Sequence, residues 1–173
     1  IYDAFQGLPH QARLPYIHSK QILYSLQKLS KHKTLNDYFG QFVSTRHWDE
    51  TNAQKDLTIK RSTSFRNTLD EVILSGTHIY VNNPFYKTPN RNCKHQQDFS
   101  VIDLISIKDR YIPRTNYIPN IDSKEFFTRI PKVTWSREKV INFYRLAFRA
   151  MLHPSGERTL ISAILPNKIT HIN

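Results

Sequence analysis

"SREKVINFYRLAFRAML", Ser136–Leu152, carries the clearest pattern in the chain, and its reading decides the fold class. Val140, Tyr144, Ala147, Phe148 and Met151 recur at helical spacing and form one apolar stripe, with Asn142, Arg145 and Arg149 on the opposite face. Ser136 stands where an N-cap belongs and Glu138 falls in the first turn, next to the positive end of a helix dipole. The stretch therefore predicts a helix over Arg137–Leu152, ended by His153-Pro154-Ser155-Gly156. Thr159–Leu165 then reads as a short buried strand.

Upstream, "FSVIDLISI" (Phe99–Ile107) is apolar on both faces apart from Asp103, which suits a strand covered on both sides. Between it and the helix lies "KDRYIPRTNYIPN", where Pro113 and Pro119 argue against any regular element. A second strand is expected at His78–Val81, followed by a polar, basic loop over Asn82–Asp98. Near the start, Ser19 is a plausible cap for a helix over Lys20–Lys31, with Ile22, Leu23, Leu26 and Leu29 on one stripe. Residues 1–18, which hold Pro9 and Pro15, read as extended. The order strand, basic loop, strand, helix, strand predicts an α/β or α+β fold. That is a single mixed domain with a few buried strands and two main amphipathic helices, residues 1–35 being a connector with a helix and 36–173 the main domain.

The chain of 173 residues is long enough for a real core, and 12% aromatic residues provide the apolar surface to build it. Cys93 is the single cysteine, which excludes an internal disulfide and a multi-cysteine zinc site and fits a reducing cytoplasm. No apolar run approaches the roughly 20 residues of a membrane span, so no membrane partner is expected. The first residue is Ile, and the chain stops soon after an apolar run, so it reads as a piece of a longer protein.

The net charge of +11 exceeds what solubility needs on a small domain and points first to nucleic acid. Its distribution sharpens this. Residues 46–71 hold five Lys/Arg and five Asp/Glu and are neutral, whereas residues 108–149 hold ten against four. Lys87, Arg91 and Lys94 sit in the basic loop with no acid among residues 82–97.

Five constellations carry possible chemistry. Asn83-Pro84-Phe85-Tyr86 is similar to the Asn-Pro-Pro-Tyr word that holds a flipped adenine. There an Asn side chain and a Pro carbonyl accept from the amino group while an aromatic ring stacks on the base. However, the four isolated glycines leave no Gly-rich turn for S-adenosylmethionine, and the word reads as a turn anchored by Phe85. Asp103, Asp122 and Lys124 have the loose spacing of a Mg²⁺-dependent nuclease, a permissive pattern. His47, Asp49 and Glu50 could be imagined as metal ligands, although His47-Trp48 reads more simply as a packed corner. Arg145 and Arg149, one helical turn apart, form either a solvated face or a phosphate contact. Finally, "RYIPRTNYIP" presents Arg110, Arg114, Asn116 and Tyr117 on a backbone stiffened by two prolines. Base readout uses such residues, Arg for guanine and Asn for adenine.

Four longer words, "WDETNAQKD" (Trp48–Asp56), "ILSGTHIYVNNPFYKTPN" (Ile73–Asn90), "IPRTNYIP" (Ile112–Pro119) and "YRLAFRAMLHPSGERTLISAILP" (Tyr144–Pro166), resemble a stretch of large restriction–modification proteins. These are the adenine-specific DNA methyltransferases of type II and type IIG systems. The resemblance spans about Trp48 to Pro166, and Gly156–Thr159 is its most specific word. It implies a target recognition domain over 36–173 that binds double-stranded DNA, beside methylase and sometimes nuclease parts of one bacterial, cytoplasmic chain. It implies no cofactor here, with S-adenosylmethionine, and Mg²⁺ where the parent also cleaves DNA, held elsewhere in that chain. The expected DNA-binding residues rest on the loop reading: Lys87, Arg91, Lys94, Arg110, Arg114, Asn116, Tyr117, Arg145 and Arg149. Two alternatives stay open: a fragment that carries a nuclease or methyltransferase centre itself, and a scaffold domain between catalytic parts.

Overall fold

The computed structural model describes residues 17–33, 35–149 and 160–172, and within them the fold is α+β. Two compact units are present, Ile1–Val43 and Ser44–Asn173.

In the first unit, α1 spans Lys20–Leu29. The Ser19 side chain accepts from the Ile22 N–H at 3.3 Å, and the Ser30 N–H returns to the Leu26 carbonyl at 2.9 Å. The cap and the apolar stripe are both local, so this helix forms as the sequence predicts, ending two residues before Lys31. Ile22, Leu23 and Leu26 are half-buried, while Lys28 Nζ lies 4.7 Å over the Tyr24 ring on the outer side. A short helix, α2, follows at Leu35–Phe39. Residues 1–16 of the expected extended start lie outside the described residues.

The second unit holds two short helices, α3 (Glu50–Lys55) and α4 (Ser123–Arg129). Among the described residues its strands are β1 (Ile59–Ser64), β2 (Ile73–Leu74), β3 (Lys87–Pro89), β4 (Phe99–Val101), β5 (Thr115–Pro119), β6 (Arg145–Phe148), β7 (Ser162–Leu165) and β8 (Thr170–His171). They form four two-stranded pairings: β1 with β5, β3 with β4 and β6 with β7, all antiparallel, and β2 with β8, parallel. Val72, Leu74, Ile79, Ala163, Leu165 and Ile169 make the core, with Leu69, Phe85, Ile112 and Ala147 packed against it.

The predicted helix over Arg137–Leu152 is not formed in its described part. A 3₁₀ turn at Val140–Asn142 leads into β6, which pairs Leu146 with Ile164 and Phe148 with Ser162. In "YRLAFR" the apolar residues alternate as well as recur at helical spacing. Pairing with β7 selects the alternation, so Tyr144, Leu146 and Phe148 face outward and Ala147 faces the core. Ser136 Oγ accepts from the Glu138 N–H at 3.1 Å and closes a turn instead of capping a helix. The helix end expected at His153–Gly156 and the Gly156–Thr159 word lie outside the described residues, as does the first residue of the expected strand that becomes β7.

The long strand at Phe99–Ile107 shrinks to β4. Asp103 Oδ1 accepts from the Ile105 N–H at 3.0 Å, an Asx turn that bends the chain away and leaves Ile105 96% exposed. The strand expected at His78–Val81 is not formed: a 3₁₀ turn over Gly76–His78 is followed by a single bridge between Tyr80 and Asn83, with Asn82 at φ 57°. The segment around Pro113 and Pro119 does contain a strand, β5. Pro119 sits at its last position, where the absent N–H costs little, and Pro113 precedes it. The helix α4 had no sequence prediction, although Asp122 caps it through Lys124 N–H at 2.8 Å and Glu125 N–H at 3.1 Å.

Candidate nucleic-acid interface

Loop 82–98 is a braced arm. Asn83 Oδ1 accepts from the Phe85 N–H at 2.9 Å, turning the chain so that Phe85 meets the core. Tyr86 stacks on Tyr80 with ring centroids 4.7 Å apart, and Lys87 Nζ lies 5.3 Å from the Tyr86 ring. The arm then pairs as β3 and β4. Its tip is closed by Asp98 Oδ2, which accepts from the Lys94 and His95 N–H groups, each at 2.8 Å. Those backbone donors hold the Asp98 carboxyl below its usual range. Arg91 and Lys94 are exposed on this braced tip, and Lys87 is half-buried at its base.

The Asn83 oxygen that an adenine amino group would need is thus occupied by its own turn. Replacing Asn83 with Ala removes that hydrogen bond, and chemical denaturation should register a loss of about 1 kcal/mol.

Arg114 lies beside the arm. Nη1 donates to the Pro89 carbonyl at 3.2 Å, and the guanidinium sits 4.5 Å over the Phe65 ring. Its own carbonyl accepts from Thr88 Oγ1 at 3.3 Å and lies 3.2 Å from His78 Nε2. The side chain is therefore held in place, with one of its five donors engaged among the described residues. Arg110 is exposed at φ 62°.

Arg61 also belongs here, a residue sequence reasoning missed. It projects from β1 opposite Tyr117, and Nη2 donates to the Lys94 carbonyl at 2.6 Å. Lys60 is its exposed neighbour. Both were hidden because residues 46–71 sum to zero charge. In the fold three of the five acids of that segment are engaged as follows. Asp49 caps α3 through the Asn52 N–H at 2.8 Å, Glu50 accepts from the Tyr117 hydroxyl, and Asp56 binds Thr58 and lies 3.5 Å from Arg129. Each of these uses a carboxylate, and Lys60 and Arg61 stay exposed.

Other expected contact residues are elsewhere. Asn116 and Tyr117 lie on β5 and are 7% and 2% exposed, because the strand pairs with β1 instead of forming a free loop. Burial and the Glu50 carboxylate hold the Tyr117 phenol well above its usual range. Arg145 points inward from β6, where alternation places it. It donates to the carbonyls of Phe143 at 3.3 Å, Pro166 at 3.1 Å and Ile169, and Nη1 lies 3.3 Å from His47 Nε2. Burial lowers its pKa to about 10. Arg149 is half-buried beside Gly76 and does not share a helix face with Arg145.

His47 and His171 stack with centroids 4.3 Å apart, next to Arg145. Burial, reinforced by the neighbouring His171 and Arg145, pushes His47 down to about 2, and burial with Arg145 pushes His171 down to about 4. His47, Asp49 and Glu50 thus have three separate tasks: a packed ring, a helix cap and a phenol acceptor. Asp103 and Asp122 are likewise a turn and a cap. No group of three or more His, Cys, Asp or Glu among the described residues is arranged to hold a metal.

Compared with protein-family models, characterised proteins and solved structures, the chain matches none.

Proposed function

We propose that the chain is a double-stranded DNA recognition domain whose contact surface is built from the β3–β4 arm, β1 and the start of β5. The observation that carries this is the partition of charge. Arg61, Arg91 and Lys94 are exposed on or against one arm, with Arg114 braced beside it. Nearby acids are held as caps and hydrogen-bond acceptors, and other cations serve the fold, Lys139 for instance donating to the Thr128 and Ile130 carbonyls. Exposed cations on a stiff support bind phosphates and release counterions, and a braced Arg suits a guanine edge. The resemblance to type II and IIG adenine methyltransferases favours the same reading. It makes this a target recognition domain whose partners are DNA and the methylase and nuclease parts of a longer chain, with S-adenosylmethionine bound there. No helix among the described residues is long and apolar enough to cross a membrane.

The test is duplex binding by fluorescence anisotropy over a salt series. Affinity should fall steeply as salt rises. Arg91→Gln with Lys94→Gln should reduce the slope of log K against log salt by about 2, roughly one per phosphate contact. Arg114→Gln should instead flatten the preference among duplex sequences while leaving most of the slope. Binding that is absent or insensitive to salt for every duplex tried would remove the proposal.

A further inference from the structure

We infer that the cleft between the β3–β4 arm and the β1–β5 pair is a binding site for one nucleotide, with the phosphate at Arg61 and Lys94 and a base edge at Asn116. The class of ligand rests on the DNA reading above; the site rests on the cleft itself. The cleft measures about 310 Å³, at the lower end of small-ligand pockets. Arg61, Lys94, Glu50, Asn116 and Tyr117 contribute to its lining.

Asn116 is the telling residue. It is 7% exposed, and its Oδ1 is shielded from solvent with no hydrogen-bond partner among the described residues. A buried amide oxygen without a partner is costly, and native proteins satisfy nearly all such groups. Asn116 also contributes to the lining of the cleft, where a rotation of the amide would bring its oxygen to a donor on the ligand. An Asn amide offers one acceptor and two donors, the complement of a base edge that carries an amino group beside an acceptor.

The charged groups set the orientation. Arg61 is held by its bond to the Lys94 carbonyl, which leaves most of its fork for a phosphate. Glu50, the carboxylate of the lining, accepts from the Tyr117 hydroxyl. It would repel a phosphate and attract an amino N–H. A phosphate near Arg61 and Lys94, with an amino-bearing base toward Asn116 and Glu50, satisfies every one of these groups. Thymine, lacking an exocyclic amino group, does not.

Two sources can supply this ligand, a free nucleotide or an unpaired nucleotide within a strand. Backbone amide NMR titrations of the whole chain with dAMP, dCMP, dTMP and inorganic phosphate test the site. Anisotropy with a paired duplex, and with the same duplex carrying one bulged nucleotide, separates the sources. dAMP or dCMP should shift the amides of Arg61, Lys94 and Asn116 and bind about tenfold tighter than dTMP or phosphate. Arg61→Gln, an exposed change, should weaken that binding about tenfold, and Asn116→Ser should erase the preference among bases. Tighter binding to the bulged duplex, displaced by dAMP, assigns the site to strands; no difference between the duplexes assigns it to free nucleotides. Equal binding of phosphate and all nucleotides, or no shift at these amides up to ~10 mM, overturns the inference. Salt-sensitive duplex binding surviving that failure leaves the DNA reading intact, while nucleotide binding without duplex binding removes the DNA reading alone.

Discussion

The Ser44–Asn173 unit is expected to lose its tertiary structure between about pH 6 and pH 4, before ordinary carboxylates titrate. The cause is a set of three buried imidazoles. His78 is fully buried, with Nδ1 near Ser75 and Nε2 near the Arg114 carbonyl, and burial lowers it to about 4. His171 is lowered to about 4 and His47 to about 2, burial being the main cause and Arg145 adding repulsion at both. All three are depressed in the folded state, so the unfolded chain, with histidine near 6.5, takes up protons first as pH falls. Their contribution to stability is complete above about pH 6.5 and declines below it, at up to about 1.4 kcal/mol per pH unit for each histidine. Together they remove on the order of 4 kcal/mol per unit across this window, against a typical total of 5–15 kcal/mol. Thermal melts followed by near-ultraviolet circular dichroism should show the midpoint dropping most steeply between about pH 6 and pH 4. His171→Phe, which keeps a ring against His47, should reduce that slope by about a third. A midpoint that stays level from pH 7 to pH 4 would show that these rings are not buried as neutral groups.

The parts of this fold that the sequence makes legible are those whose causes are local. Ser19 and the stripe of Ile22, Leu23, Leu26 and Leu29 lie within eleven residues of one another, and α1 forms there. The strands are short and take their stability from distant partners. β2 has two residues, and Thr170 Oγ1 reaches the Val72 carbonyl across 98 positions. No local pattern announces such a pairing, and Phe99–Ile107 shows the converse error. Its apolar run suggests a long buried strand, yet Asp103 ends it with one side-chain bond. The segment Tyr144–Arg149 satisfied two periods at once, and the choice between them was made by β7, not by the segment itself.

The candidate interface was legible in the same partial way. Lys87, Arg91 and Lys94 stood out because no acid lies among them, and the fold keeps Arg91 and Lys94 exposed. Arg61 was invisible to a charge tally, because five acids balance five cations over residues 46–71. Only the pairing of β1 with β5 brings it to the arm. Asn116 was noticed as a possible base reader on a loop. It is instead a buried strand residue beside a cleft, its Oδ1 without a hydrogen-bond partner among the described residues, a position that depends on three-dimensional packing.

Arg145 gives the largest expected effect of a single substitution. Its guanidinium bonds the carbonyls of Phe143, Pro166 and Ile169 and lies beside His47, joining β6 to the turn before β8. Arg145→Ala withdraws a charged donor from three carbonyls in a partly buried site. Hydrogen bonds to charged groups are worth about 1.5–3 kcal/mol each, and a carbonyl left unsatisfied costs about 1–3 kcal/mol. Arginine's own desolvation offsets part of this, leaving a net loss of about 4 kcal/mol. Urea denaturation should show it as a large fall in midpoint. Arg145→Lys should recover less than half, since one ammonium cannot span the carbonyls that a planar fork reaches. This separates a structural arginine from a DNA contact. A phosphate-binding Arg145 would be partly replaced by lysine, and its loss would change the salt slope of DNA binding without lowering stability. The arrangement of carbonyls predicts the reverse: folded Arg145→Lys protein should keep the wild-type salt slope. The charge of Arg145 also faces His47 and His171, so Arg145→Lys, which retains it, should keep the wild-type slope of melting midpoint against pH while lowering the midpoint at every pH. Arg145→Met should raise both histidine pKa values and so make that slope shallower between pH 6 and pH 4, on top of the loss of stability.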